Sequence, residues 1–486
     1  MRSLIYAPQP SRQLLKVGAM VGGLLLLTGM GIVTTIGPTG RLVLYGAAIC
    51  AALVAVALAF DSPGLLSFTL ISLGVFFAPS DGLRLTTSLT YSDVLIVAAV
   101  PFLIWSFLTH AWFPTLPSWL LIGTALIVIS ALLVEEMPPV STTEALFHYR
   151  NLTTGKIESR SSAALAGQLL VAVAIVPTVV ALTLTSWARA RTLVNFWLAG
   201  TAVSCLVALL AAFGHVDLQS AITGHSYSVQ AFHEQAGRYT GLAVHAVLLG
   251  ISAAMSVPIA LSRMTSTRHT IRYGLLASVY CLAIFISGSR SAVVGVVAAL
   301  MFVFLWHARA RKRIILLLLF GGLTGYISGL GSSSLSTIQR LFGGNALASS
   351  SANMSDTTRL SHYSEALHAF FARPLTGYGF QGLRGAHNII LELLSSGGVL
   401  ALAGYFVIIC GALYVGILLV RAQLPSNLRM DALGIVGAMV VFLVVSMVDN
   451  ASLDRFVYLP IAIMLGLSFM MQRQTLVSDN ADLISQ

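Results

Sequence analysis

Apolar runs of about twenty residues, almost free of charge, recur from one end of this chain to the other. A run of that length lets a helix cross about 30 Å of hydrocarbon, where each backbone amide must find its partner within its own segment. Such runs lie near 17–36, 42–60, 63–79, 92–109, 117–134, 163–184, 192–213, 242–261, 271–287, 291–308, 314–330, 396–420, 430–448 and 455–471, those at 63–79 and 271–287 being the least pronounced. The predicted fold is all-α, a polytopic integral membrane protein of about fourteen transmembrane helices, with twelve as the lower bound. Only 27 basic and 17 acidic residues serve a chain of 486 that is 57% hydrophobic. That is too little charge to solvate a soluble surface of this size, which excludes soluble dehydrogenase and hydrolase folds and nucleic-acid binding. Cys50, Cys205, Cys281 and Cys410 all fall inside apolar runs without metal-ligand spacing, so neither a disulfide nor a zinc site is expected.

The net charge of +10 reads as topology. With both termini cytoplasmic, the inner segments collect fifteen basic residues, among them Arg189, Arg191, Arg263, Arg268, Arg272 and the Arg309 to Arg313 cluster. Against these stand four acids, Asp61, Asp431, Asp479 and Asp482, for a net of +11 inside, and the remaining twelve basic and thirteen acidic residues leave −1 outside. The excess therefore needs no anionic partner. The opening stretch, with Arg2, Pro8, Pro10, Arg12 and Lys16, is too polar for a cleaved signal peptide, and the run after it is expected to be a retained helix.

The chain divides into a cytoplasmic segment 1–16, an N-terminal transmembrane region 17–234, a region 235–410 that holds an external loop 331–395, C-terminal transmembrane helices over 411–471, and a cytoplasmic tail 472–486. That loop is far longer than a connector requires and carries Asp356, Arg359, Arg373, Arg384 and His387. Its first part, Gly331 to Met354, is rich in Ser, Gly and Asn. Thr357 to Arg373 reads as an amphipathic helix with Leu360, Tyr363, Leu367, Phe370 and Phe371 on its apolar side, followed by a turn through Pro374 and Gly377-Tyr378-Gly379.

Three constellations stand out. Arg238 sits in Gly237-Arg238-Tyr239-Thr240-Gly241 at the outer mouth of a span with His245, where it reads equally as a headgroup anchor. Arg290 lies in the tight turn Ser287-Gly288-Ser289-Arg290-Ser291, where an arginine at hydrocarbon depth requires a counter-charge or a polar cavity. His387-Asn388 precedes a helix with Glu392, Ser396, Gly397 and Gly398, and taken alone this histidine reads as a cap neighbour as readily as a base. Glu392 is off the histidine's face by spacing, so the two make no dyad. All three groups and Arg359 fall on the outer side of the predicted topology. There guanidiniums can clamp a phosphate-bearing lipid and a neutral imidazole can accept a proton. Asp81, Asp93 and Asp449 are isolated in sequence, so arginine rather than a metal is the expected counter-charge, and no cofactor is predicted.

At these residues the chain resembles the O-antigen ligase and Wzy-type polysaccharide polymerase superfamily, over about 235–410. The resemblance rests on Arg238-Tyr239-Thr240-Gly241, Ser289-Arg290, Thr358-Arg359, Arg373-Pro374-Leu375-Thr376-Gly377-Tyr378-Gly379-Phe380, and His387-Asn388 through Gly398, in that order. His245 is followed by Ala246-Val247 in place of the family's Pro-Asn. The resemblance implies a GT-C-like membrane glycosyltransferase of the bacterial cytoplasmic membrane, its site facing the periplasm or exterior. Its donor would be an undecaprenyl-diphosphate-linked oligosaccharide, attacked at the sugar C1 with inversion and without metal. His387 would be base or acceptor positioner, Arg238 and Arg290 diphosphate clamps, and Arg359 a diphosphate or acceptor ligand, with Gly241, Ser289, Asn388 and Gly398 in support. Polymerisation onto a lipid-linked glycan acceptor, with a chain-length regulator or export machinery as partner, is the leading expectation. Ligation to a lipid or protein acceptor and transport of a glycan or lipid are the alternatives.

Overall fold

A computed structural model describes residues 62–83, 90–110, 114–136, 150–151, 156–157, 161–214, 238–266, 269–306, 311–312, 315, 346–380, 387–422, 424–449 and 454–484. The expected spans at 17–36 and 42–60, and all of 314–330 but residue 315, lie outside these residues, as do the expected N-terminal segment, Cys50 and Arg384. Each of the other eleven apolar runs is a helix. In chain order they are α1 (Pro63–Phe77), α2 (Tyr91–His110), α3 (Ser118–Glu136), α4 (Ser162–Leu182), α5 (Trp187–Gly214), α6 (Ala246–Ser266), α7 (Thr270–Ser287) and α8 (Arg290–Trp306). After α9 (Ala346–Ala372) come α10 (Ile389–Arg421), α11 (Ser426–Ser446) and α12 (Leu459–Ile484), the last entered through a 3-10 turn at Arg455–Tyr458.

Nine of the described helices are long and apolar enough to cross a membrane, and α1 and α8 are shorter apolar helices. The protein is thus helical and polytopic as expected. A two-residue antiparallel ladder, Arg150–Asn151 against Lys156–Ile157, is the one strand pairing among the described residues, and the fold is all-α as expected.

Local chemistry explains the helix ends and breaks. Thr90 and Asp93 form a reciprocal capping box at the start of α2: Asp93 N–H donates to the Thr90 hydroxyl oxygen and Thr90 N–H to the Asp93 carboxylate, both at 3.2 Å. In α4 a π turn, Val171–Ile175, ends two residues before Pro177. A proline lacks the N–H and collides with the carbonyl four residues back, and the wider turn relieves that collision while the helix continues.

α6 is the hub. Its residues from Leu249 to Leu261 are almost wholly enclosed, by α7, α11, α8 and α5. Around it α3 packs along α10, α1 along α2, and α12 along the second half of α4. Large apolar side chains on the outside, such as Leu108, Leu132, Leu275, Met301 and Leu305, suit contact with lipid. With lipid as apolar as the core, close van der Waals packing rather than hydrophobic transfer holds such helices together.

Polar groups gather at opposite ends of the α6 hub, which is about 30 Å long at 1.5 Å per residue. At its C-terminal end Arg263, 1% exposed, donates through Nε to Asp431 Oδ1 at 2.8 Å. Arg191 pairs with the other Asp431 oxygen at 2.9 Å, and the Arg263 guanidinium also reaches the Asn195 side chain. The start of α5, the end of α6 and the start of α11 therefore share one face, as the expected topology requires. The N-terminal end of α6 meets the end of α7 and the start of α8, and there lie the residues singled out from sequence.

Candidate active site

The segment 238–245 enters the bundle as a buried turn held on three sides. Tyr239 N–H donates to the Ile286 carbonyl at 3.1 Å, Leu242 N–H to the Ser204 hydroxyl at 3.1 Å, and Val244 N–H to Asp81 Oδ1 at 3.0 Å. Gly241, at φ +59, turns the chain against the Ser204 carbonyl, where a Cβ would come within 2.3 Å.

Arg238 is fixed by the α7–α8 turn. Its Nε donates to the Ser287 carbonyl at 3.0 Å, and its side chain lies across Gly288. Gly288 ends α7 in the left-handed conformation, and a Cβ there would sit 3.0 Å from Arg238 Cγ. The room that the small residues of this turn leave at Gly288 is taken by Arg238.

His245 caps α6. Its Nδ1 accepts from Val247 N–H at 3.1 Å, which puts the neutral ring's proton on Nε2. Burial, then Arg238 and His387, push its pKa down to about 4, so it is neutral near pH 7.

Ser289 caps α8, its hydroxyl oxygen accepting from Ala292 N–H at 3.3 Å and lying 3.0 Å from the Ser291 hydroxyl. Ser291 in turn donates to Asp449 Oδ2 at 3.0 Å, tying α8 to the end of α11. Arg290, half-buried, is the first residue of α8 between these two serines.

Asn388 is the N-cap of α10. Its side-chain oxygen accepts from Ile390 N–H at 3.0 Å and Leu391 N–H at 3.3 Å, and its amide donates to the Met447 carbonyl at 2.9 Å. His387, the residue before this N-cap, sits at φ +48, a left-handed conformation that a residue with a Cβ adopts at a cost of order 1 kcal/mol. Strain of this kind clusters at working sites. Burial is the largest influence on the His387 ring and lowers its proton affinity; Asp449 raises it, while Arg359 and His362 add to the lowering. Glu392 is fully enclosed in the first turn of α10.

α9 brings Arg359 and His362 to this place. It starts at Ala346, about three turns before the expected Thr357, because the Ser- and Asn-rich stretch read as a loop is helical from there. Its enclosed side carries His362, Ala366 and Ala369, whereas Leu360, Leu367 and Phe371, expected on one apolar side, are exposed. The His362 ring is stacked over His387 with centroids 6.1 Å apart and planes 12° from parallel.

The turn after α9 is spliced into a break in α10, which fixes the distance between Arg359 and His387 along the fold. Gly398 has φ +65 and ψ −163, inside a helix, which frees the carbonyls of Ser395 and Ser396. Tyr378 N–H and Gly379 N–H take them at 2.8 and 2.9 Å, and Val399 N–H goes to the Pro374 carbonyl at 2.9 Å. Only glycine readily adopts this conformation, and a Cβ on Gly398 would lie 2.3 Å from the Leu375 carbonyl. The span expected from 396 thus begins seven residues earlier and bends where the two glycines were read.

One end of the bundle therefore holds Arg359, His362 and Asp449 in electrostatic reach of His387, and Arg238 and His387 in reach of His245, with Arg290 on the adjoining turn. Cations outnumber anions, and among the described residues no three His, Cys, Asp or Glu side chains are grouped to hold a metal. Sequence reading missed His362 and Asp449. The signal for His362 is its position three residues after Arg359, on the same helical face. Asp449 has no local signal, since its partners lie on α8 and before α10.

No curated protein matches the chain. Its length and apolar helices make it a multi-pass membrane protein. Over residues 275–406, which contain Arg290, Arg359, His362 and His387, it matches the family described as O-antigen ligase, so the resemblance to the O-antigen ligase and Wzy-type superfamily holds there and supports a glycosyl-transferring membrane enzyme acting on lipid-linked glycans.

Proposed function

We propose that the protein polymerises undecaprenyl-diphosphate-linked oligosaccharide repeats at the outer face of the bacterial cytoplasmic membrane, as a metal-independent, inverting, GT-C-like glycosyltransferase of exopolysaccharide, capsule or O-antigen synthesis. The observation that carries this reading is the gathering of a depressed, solvent-poor imidazole, His387, with the guanidiniums of Arg238 and Arg359 at one end of the bundle. The excess of basic residues near the other end favours placing the site outside.

The chemistry is a single displacement. The acceptor hydroxyl attacks the sugar C1, its proton passes to the His387 imidazole, and the bond from C1 to the diphosphate oxygen breaks with its electron pair on the leaving lipid diphosphate. A base of lowered proton affinity is free at neutral pH, and the guanidiniums of Arg238 and Arg359 match the growing charge on the leaving group. Arg290 is assigned to the same diphosphate. Since that leaving group is already activated, positioning and charge stabilisation are most of what the protein must supply.

The test is product length after purified protein in nanodiscs receives its host's undecaprenyl-diphosphate repeat unit, with released lipid diphosphate counted and Arg290→Ala as the control. A ladder of lengthening products supports polymerisation. The match to a family described as O-antigen ligase favours a second reading, transfer to a distinct lipid or protein acceptor. That reading predicts no ladder until such an acceptor is added. Uptake of the lipid with no released diphosphate under either condition would point to transport.

A further inference from the structure

We propose that His362 is a positioning residue for the transfer reaction: its ring, stacked on His387, keeps that imidazole unprotonated and holds its plane. This rests on the reading of His387 as the base. The two rings are 6.1 Å apart and nearly parallel, and His362 is 6% exposed on the side of α9 that faces α10. Stacked rings point their N–H groups outward in their own planes, so they pass no proton directly between them. They interact instead as a surface and as two sites that resist carrying charge together.

Both rings have an enclosed Nδ1 without a hydrogen-bonding partner among the described residues. A ring fixed by a hydrogen bond to a carboxylate would be held by that bond and made more basic by it. Here the ring is held by stacking and by the capped chain at Asn388, and Asp449, the acid that acts on it, accepts from Ser291. The groups facing His387 are Arg359 and His362 from α9, Asp449 from the end of α11, and His245, with Arg238 beside it, from the turn before α6. Among the described residues, Asp449 is the acid that acts on His387 against these basic side chains.

The experiment needs no substrate. Diethyl pyrocarbonate acylates neutral imidazole, and the pH dependence of His387 modification in nanodisc-held protein, read by peptide mass spectrometry, gives its titration midpoint. Replacing His362 by Gln removes the stacked imidazole and keeps a polar side chain of related reach. The midpoint of His387 is expected to rise by about one pH unit, since unit charges about 6 Å apart in a partly screened site interact on that scale. The acidic limb of turnover should then move to higher pH by a like amount, because a base that protonates more easily is lost earlier as pH falls. His362→Asn serves as the second variant, and each is used only if it elutes as the parent does. An unmoved midpoint in either folded variant would overturn the proposal. Failure of the base role would show separately, as full turnover in a His387→Ala protein.

Discussion

The two polar ends of this bundle contain the same residue types and treat them differently. At the Arg263 end an aspartate lies between two arginines, and the fully enclosed guanidinium spends its donors on Asp431, Asn195 and the Arg191 carbonyl. At the His387 end arginines and imidazoles gather around Asp449, whose Oδ2 is taken by Ser291. Charge neutralised by the protein itself holds helices together; charge left in excess and backed by strained, capped backbone is prepared for something anionic. The contrast teaches where to look in a membrane protein for chemistry, and it can be broken by substitution at either end.

The largest effect is expected at the paired end. Replacing Asp431 by Leu leaves Arg263 enclosed without its counter-charge, which costs about 3–5 kcal/mol. The expected result is little folded protein by size-exclusion chromatography, and normal turnover per folded molecule for what remains. A folded but inactive variant would erase the distinction between the two ends.

Next comes the splice between α9 and α10. Gly398→Ala forces a Cβ against the Leu375 carbonyl in a region of backbone space reserved for glycine, at a cost of about 3 kcal/mol. Thermal unfolding should shift down. Turnover should fall in the folded fraction too, because Arg359 and His362 are placed by this splice.

A smaller effect is expected at Arg238. Arg238→Lys keeps the charge but loses the planar fork, so undecaprenyl diphosphate should bind about tenfold more weakly in a lipid-exchange assay, at nearly unchanged stability. Unchanged affinity would return Arg238 to the role of headgroup anchor. The smallest change is Ser291→Ala, which removes one hydrogen bond from Asp449 and should cost about 1 kcal/mol, seen as a few-fold loss in kcat.

The pH dependence sharpens the same comparison. His245, held near 4, stays neutral through pH 5 to 8 and contributes no limb there. Because the His387 ring is lowered rather than raised, it remains a free base further into acid than an ordinary histidine. Turnover should therefore hold across neutral pH and decline only below the usual imidazole range. An acidic limb above that range would contradict the local electrostatics.

Much of the fold could be read in the sequence because hydrocarbon allows few solutions. A run such as 430–448 has no alternative to a helix, and the weak runs at 63–79 and 271–287 form α1 and α7. Boundaries were harder to read where local chemistry overrides composition. α10 passes through Glu392, Gly397 and Gly398 because Asn388 caps its start and the turn at 374–379 absorbs the hydrogen bonds lost at the bend. In the site, Arg238 and His387 were legible as unusual residues at span ends. Their partners were not: the Ser291–Asp449 bond and the His362 stack join residues 158 and 25 positions apart, which no local pattern encodes.

The account's central claim is that the cation-rich end transfers sugar from a lipid diphosphate with His387 taking the proton. The most direct test is to compare parent and His387→Ala proteins in nanodiscs for binding of the undecaprenyl-diphosphate repeat unit and for release of undecaprenyl diphosphate under single-turnover conditions. The account predicts donor affinity within a few-fold of the parent and transfer slower by about 10²–10⁴-fold, the range for a lost general base. Transfer at the parent's rate in the variant would contradict it.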